Sequence, residues 1–181
     1  FSEEFDDLYS SEKGAVAECN HVFIKGNNLN ERFENLEENS KFYIGEIGFG
    51  IGINFLTTCK SWLDRAKQNQ ILEFYSFDKY LFKLNDFKKL YASCSDLKEY
   101  ISELELSYPR NIQGAQKISL FDGKIILNLI IGEIDNTQEY IKLMGKVDAW
   151  YLDGFSPSKN PELWSKKLFM CIYKSCHENT T

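Results

Sequence analysis

The stretch "KFYIGEIGFGIGINFL", residues 41–56, decides the architecture. An apolar run rich in aromatic and β-branched residues leads into glycines at 48, 50 and 52. An amphipathic pattern follows at once, with Phe55, Leu56, Cys59, Trp62, Leu63 and Ala66 at helical spacing. That order is a strand, a tight glycine turn and a helix. Such a turn either cradles a nucleotide cofactor or simply joins two elements, and only the residues around it separate these readings.

The rhythm continues downstream. "ILEFYSFDKY" (71–80) reads as a strand ending at Asp78, and residues 85–108 read as helix in one or two pieces. "AQKISLF" and "KIILNLIIGE" meet near Asp122-Gly123, the signature of a tight hairpin. "DNTQEYIKLMG" reads as a short helix, "VDAWYLD" as a strand and "NPELWSKKLFMCIYKSC" as a helix with Pro161 in its first turn. Strands alternating with helices predict an α/β, Rossmann-like fold, a parallel core sheet with flanking helices. Residues 1–41 read differently. "FDDLYSS" and "AVAECNHVFIKGNNL" predict a small N-terminal β-hairpin appendage turning at Glu12-Lys13-Gly14, ahead of a core over 42–181.

Bulk properties narrow the class. The chain has 181 residues, 43% hydrophobic and 27% charged, as expected of one soluble domain with a real core. No apolar run approaches the roughly 20 residues of a membrane span, and the acidic N-terminus lacks the order of a secretory signal. A cytoplasmic protein is expected. The five cysteines, at 19, 59, 94, 171 and 176, form no C-x-x-C, which predicts reduced thiols and no metal site. A net charge of −6 argues against a broad nucleic-acid surface but leaves room for a local basic face. His21 and His177 have no partner at catalytic spacing and read as structural.

Ligands of this fold class bind beyond the carboxyl ends of the strands, so those positions carry the functional reading. The loop runs Glu46-Ile47-Gly48-Phe49-Gly50-Ile51-Gly52, and its third glycine is out of step with the dinucleotide fingerprint. The Glu46 carboxylate would repel a pyrophosphate. It suits a cofactor with positive charge, such as the ammonium and sulfonium of S-adenosylmethionine. Asp78, 30 residues after Gly48, can accept from both hydroxyls of a ribose. At Gly132-Glu133 a carboxylate can accept from an adenine amino group, with Ile134 packing on the ring.

The last strand delivers "LDGFSPSKNPELW", residues 152–164, laid out like the (D/N)-P-P-(F/Y) loop of amine-directed methyltransferases. Asp153 can take the acceptor role toward an amine, and Phe155 can stack on its base. Asn27 and Asn28 are turn residues or reach the cofactor, and Lys25 and Arg32 can face phosphates. Taken singly, each feature has a plain alternative: a turn, a solvated carboxylate, a helix cap. Together they fall on successive strand ends in the order methyl transfer needs.

These strings, with "FDDLYSS", "HVFIKGNNL", "IIGEI" and above all "KVDAWYLDGFSPSKNPELWSKKLF", resemble the methyltransferase half of the MnmC family, bifunctional tRNA 5-methylaminomethyl-2-thiouridine biosynthesis proteins. The resemblance is collinear over residues 1 to about 176. It implies S-adenosylmethionine as cofactor, tRNA as partner, and N-methylation of the aminomethyl group of 5-aminomethyl-(2-thio)uridine at the wobble position. In many members an FAD-dependent oxidoreductase domain follows. Carried over by position, Glu46, Gly48, Gly50, Gly52 and Asn54 match the cofactor loop, Asp78 the ribose acceptor, and Gly132, Glu133 and Ile134 the adenine side. Asp153, Gly154 and Phe155 match the active-site loop, where Asp153 also borders the cofactor. Lys159, Asn160 and Pro161 lie beside it on the substrate side.

The family pattern continues with a further strand. The chain is therefore expected to be C-terminally incomplete, with "VDAWYL" on an open edge. Two other readings compete: a truncated, catalytically idle domain acting through contacts, and a nicotinamide- or flavin-dependent oxidoreductase. Glu46 and the out-of-step glycine oppose the second.

Overall fold

The computed structural model describes residues 12–109, 114–154 and 164–181. Five strands, β1 (Lys41–Ile47), β2 (Ile71–Asp78), β3 (Gly114–Leu120), β4 (Ile125–Ile131) and β5 (Ala149–Leu152), form one sheet in the order β3-β4-β2-β1-β5. All neighbours are parallel except β3 and β4, which pair antiparallel. The helices are α1 (Glu12–Cys19), which runs on into a wider π-helical turn at Asn20–Lys25, α2 (Leu29–Glu34), α3 (Ile53–Leu63), α4 (Leu84–Ser93), α5 (Lys98–Ser107), α6 (Ile134–Leu143) and α7 (Lys166–Ser175). The expected α/β, Rossmann-like architecture is what the chain adopts.

Strand alternation sorts the core into two layers. Phe42 and Ile44 of β1, Leu72 and Phe74 of β2, Leu127 and Leu129 of β4, and Tyr151 of β5 face one way, and there meet Cys19, Phe33, Trp62, Phe87 and Ile101 from α1 to α5. Ile47, Phe77, Ile130 and Trp150 face the other way and meet Ile141, Leu168 and Ile172 of α6 and α7. Near-continuous apolar strands follow from this burial on both faces.

Three expectations are corrected. The second arm of the N-terminal β-hairpin is not a strand: residues 12–34 are mostly helical, and "FDDLYSS" lies outside the described residues. Cys19, Ile24, Leu29 and Phe33 share the main core with the sheet, so burial on a helical face wins over the local strand pattern. The β3–β4 link turns on Phe121-Asp122, both at positive φ, with Gly123 donating back to Leu120 O at 3.1 Å. Asp122-Gly123 marks the right turn but not its central pair. Finally, the last described helix starts at Lys166, where the Ser165 hydroxyl accepts from Leu168 N. Pro161 lies outside the described residues.

The outer edge of β5 is covered at its start by the chain's last residues. Val147 N donates to Ser175 O, Thr181 N to Asp148 O and Trp150 N to Thr181 O. Arg32 clasps this arrangement from α2, donating to Asp148 O at 3.0 Å, Asn179 O at 3.3 Å and the Thr181 hydroxyl at 2.9 Å. Its expected role toward phosphates is replaced by a structural one. His177 is structural too, with Nε2 3.1 Å from Asp148 Oδ1.

Trp150 is seated by a gap in β1. It lies beside Gly45 in the register, its indole N–H donates to the Ser175 hydroxyl at 3.2 Å, and a Cβ on Gly45 would fall 2.5 Å from its ring. The Gly45→Ala protein is expected to be destabilised by about 1–3 kcal/mol through overpacking. Urea unfolding that shows no shift in midpoint would refute this packing account.

Candidate active site

The site is built where the carboxyl ends of β1, β2 and β5 meet the start of α3. Parallel register sets Glu46 beside Ser76, and alternation points both toward α1 and α3. Glu46 is fully buried. The Ser76 hydroxyl donates to Glu46 Oε2 at 2.5 Å, while Oε1 is buried with no hydrogen-bond partner. Burial pushes the Glu46 carboxyl up to about 8, with the Ser76 donor pulling down and the charges of Asp153 and Asp78 pushing further up. A buried acceptor without a donor is costly, and an incoming cation or N–H group would relieve that cost.

Gly48, Gly50 and Gly52 carry φ of 95°, 54° and 80°, a run that side chains resist. At Gly48 space is also lacking, because a Cβ would lie 2.6 Å from the backbone oxygen of Asp153. Phe49 anchors the loop from inside, its ring 5.9 Å from Phe82 and 6.2 Å from Phe55 between centroids. The loop then enters α3 at Gly52.

Asn54, in the first turn of α3, joins loop to strand end. Its side-chain amide donates to Asp153 Oδ2 at 2.7 Å. It also lies close enough to Glu46 to favour the charged form there, though without a well-formed hydrogen bond. Desolvation by the cleft walls raises the Asp153 carboxyl, the Asn54 amide lowers it, and the charge of Glu18 raises it again. Asp78 is more committed than its sequence position predicts. Its Oδ2 accepts from Gly50 N at 2.9 Å and its Oδ1 from Tyr80 N at 3.1 Å. The backbone N–H groups of Lys79 and Phe49 also face the carboxylate, so the chain itself answers much of its acceptor capacity. Burial still raises its carboxyl despite the backbone donors.

The adenine side is less open than expected. Gly132 N donates to Asp78 O, tying the ends of β4 and β2 together. Glu133 pairs with Lys79 at 3.2 Å, and Ile134 is buried in the second core layer. Phe155, Lys159 and Asn160 lie outside the described residues. Asn27 is largely buried and donates to Phe23 O, so it serves the helical turn. Asn28, left-handed at φ 51°, starts α2. The structure thus brings Glu46, Gly48, Gly50, Gly52, Asn54, Asp78 and Asp153 into one cluster.

Sequence reading missed three neighbours of that cluster. Ser76 becomes visible only once the β1–β2 register is known. Cys19, whose Sγ approaches Asn54 O at 4.0 Å, and Glu18 beside it belong to the helix read as a strand. Burial pushes the Cys19 thiol up to about 12, so it is an inert core group. All five cysteines are free thiols. Among the described residues no group of His, Cys, Asp and Glu is arranged to hold a metal ion, and no helix is long and apolar enough to cross a membrane.

The features fit S-adenosylmethionine better than a dinucleotide: a buried carboxyl with an orphan oxygen stands under the glycine loop, where a pyrophosphate would be repelled. Residues 95–181 match the profile of a family described as S-adenosyl-L-methionine-dependent methyltransferase. Along nearly its whole length the chain also aligns with curated proteins named tRNA 5-methylaminomethyl-2-thiouridine biosynthesis bifunctional protein MnmC. One from Hydrogenovibrio crunogenus is 38% identical over 177 residues, covering 98% of this chain and 26% of the relative. One from Leptospira interrogans is 41% identical over 180 residues, covering 99% and 27%.

The chain resembles the methyltransferase domain of MnmC. It spans only about a quarter of the length of these curated relatives, 26% and 27%. A crystal structure of MnmC2 from Aquifex aeolicus superposes with a TM-score of 0.67 over 94% of this chain and 50% of that one. At 22% identity that match establishes the shared fold.

Two outcomes follow, one from the site's charges and one from its packing. A folded-state carboxyl raised from 4.5 to about 8 keeps a proton that the unfolded chain releases, so the ligand-free protein loses stability as pH rises across that window. Asp78 and Asp153, also raised, act in the same direction. Glu46→Gln is expected to flatten the slope, and thermal unfolding measured from pH 5 to 8.5 checks it. An equally steep slope in the variant would count against a buried, uncompensated Glu46. Separately, Gly48→Ala is expected to cost about 2 kcal/mol or more from combined strain and clash and to displace Asp153. Chemical denaturation together with S-adenosylhomocysteine titration checks this.

Proposed function

We propose that the site catalyses S-adenosylmethionine-dependent N-methylation of the aminomethyl group of 5-aminomethyl-(2-thio)uridine at the wobble position of tRNA. The observation that carries the reading is the Asn54-linked arrangement of Glu46 and Asp153: a buried orphan acceptor and a half-solvated carboxylate at the glycine loop. It suits two cations meeting in one place, the cofactor's and the amine's. The names of the MnmC relatives supply the substrate class.

When bound, S-adenosylmethionine supplies an electrophilic methyl group on a sulfonium. The chain would hold it through Glu46 toward the amino-acid end, the backbone of Gly48–Gly52 along its length, Asp78 toward the ribose and Gly132–Ile134 toward the adenine. Asp153 accepts a proton from the substrate ammonium, which frees the nitrogen lone pair to attack. Its raised proton affinity suits that task. Asn54 fixes the carboxylate, so the remaining catalysis is alignment. Phe155, Lys159 and Asn160 are assigned to the base and backbone of the tRNA.

The test is label transfer from methyl-labelled S-adenosylmethionine to tRNA bearing 5-aminomethyluridine, using the full-length protein. Transfer is expected in the wild type. Asp153→Ala is expected to lower kcat by about 10²-fold or more, with S-adenosylhomocysteine affinity changed only a few-fold. No transfer by the wild type would overturn the reading, and loss of cofactor binding alone in the variant would move Asp153 from amine to cofactor.

A further inference from the structure

We infer that Tyr151, buried on β5 two residues before Asp153, is a positioning residue for methyl transfer: its hydroxyl and that of Thr58 hold Asn54 in place, and Asn54 sets the Asp153 carboxylate against the substrate amine. The inference rests on the proposed function and extends it beneath the cleft, to groups that no ligand touches.

The contacts form a closed circuit. Asp153 N donates to Ile47 O, so the extended chain runs on past β5. Tyr151 and Asp153, two residues apart, therefore leave the same face of the sheet, toward α3. Asp153 Oδ2 accepts from the Asn54 side-chain amide at 2.7 Å. One turn further along α3, the Thr58 hydroxyl donates to Asn54 O at 2.7 Å and lies 3.0 Å from Tyr151 Oη. Proton counting gives that last bond its direction. A carbonyl only accepts, so Thr58 gives its single hydroxyl proton to Asn54 O, and the Tyr151 phenol donates to Thr58 Oγ1. One strand thus fastens Asn54 twice, at its amide through Asp153 and at its carbonyl through Tyr151 and Thr58. The Cys19 thiol is a weaker donor to the same carbonyl, at 4.0 Å.

The lower fastening is dry and tightly framed. Tyr151 and Thr58 are fully buried. The tyrosine ring stacks on Phe23 at 4.5 Å and meets Phe74 edge-on at 5.8 Å. A phenylalanine ring would fill that frame without the cost of burying a hydroxyl, so what the hydroxyl adds is the bond to Thr58. Burial pushes the phenol well above its ordinary range, which keeps the donor in place at neutral pH. At the upper end Asn54 takes Oδ2 of Asp153, and the direction of the other carboxylate oxygen follows from where Asn54 stands. A shift of Asn54 carries the proton acceptor off the amine, and misplacement of that kind slows the chemical step without weakening cofactor binding.

The experiment compares wild type, Tyr151→Phe, Thr58→Val and Thr58→Ser in the full-length protein. Tyr151→Phe and Thr58→Val are each expected to lower kcat on tRNA bearing 5-aminomethyluridine about tenfold. KM and S-adenosylhomocysteine affinity should stay within about twofold, and the thermal midpoint should fall by only about 2–4 °C. Thr58→Ser keeps the hydroxyl and should retain most of the rate. In the Asp153→Ala background, Tyr151→Phe should lower the residual rate less than about twofold, because the group it positions is gone. In amide spectra of isotope-labelled protein, the Asn54 side-chain signal should move in Tyr151→Phe and stay in Thr58→Ser. An active wild type beside a Tyr151→Phe protein of equal kcat overturns this inference alone, as does a tenfold loss that persists undiminished in the Asp153→Ala background. A loss shared by kcat and S-adenosylhomocysteine affinity also overturns it, by making Tyr151 a scaffold residue of the cofactor loop. A wild type that transfers no methyl group overturns the inference together with the proposed function.

Discussion

Glu46 sits where water does not reach, and only one of its two oxygens has a donor. That imbalance organises the rest of the site. A parallel sheet brings the carboxyl ends of β1, β2 and β5 to one rim. The rim then gathers Glu46, Asp78 and Asp153 within mutual electrostatic reach. Carboxyls so crowded and buried resist ionisation in the empty protein, and the site favours any molecule that brings positive charge. Binding and folding therefore pull in opposite directions at the same atoms, as expected of a site shaped for its ligand rather than for its own stability.

The glycine loop matters less as a cradle than as a spacer. Gly48 lets the chain after β5 pass within contact of the loop, and Asp153 stands where it does because no Cβ intervenes. Phe49 and Asp78 hold the loop from opposite sides, one by ring packing and the other by accepting from Gly50 N. The cofactor loop and the chemistry-bearing loop are therefore one mechanical unit, and Asn54 is the hydrogen bond that closes it.

Much of this was legible in the sequence because one topological rule does most of the placing. Once strands and helices alternate, strand-end residues converge, and Glu46, Asp78 and Asp153 are each strand-end residues. What stayed hidden depends on register or on tertiary contact. Ser76 is a partner only through the pairing of β1 with β2. Glu133 looked free until Lys79 was placed beside it. The N-terminal segment misled for a different reason. "AVAECNHVFIK" carries β-branched and aromatic residues that favour a strand locally, yet Val16, Cys19 and Phe23 also recur at helical spacing. Burial against α3 and Tyr151 decides between them, with Phe23 stacking on that tyrosine at 4.5 Å.

The Arg32 clasp bears on how the molecule comes to exist in time. Its partners lie 116 to 149 residues further along the chain. Closing contacts over such separations is slow, because the loop entropy must be lost before the bonds form. During synthesis the first helices emerge long before Asp148 and Thr181 are available to receive the guanidinium. The clasp at the start of β5 therefore settles late, once residues from both ends of these separations are present.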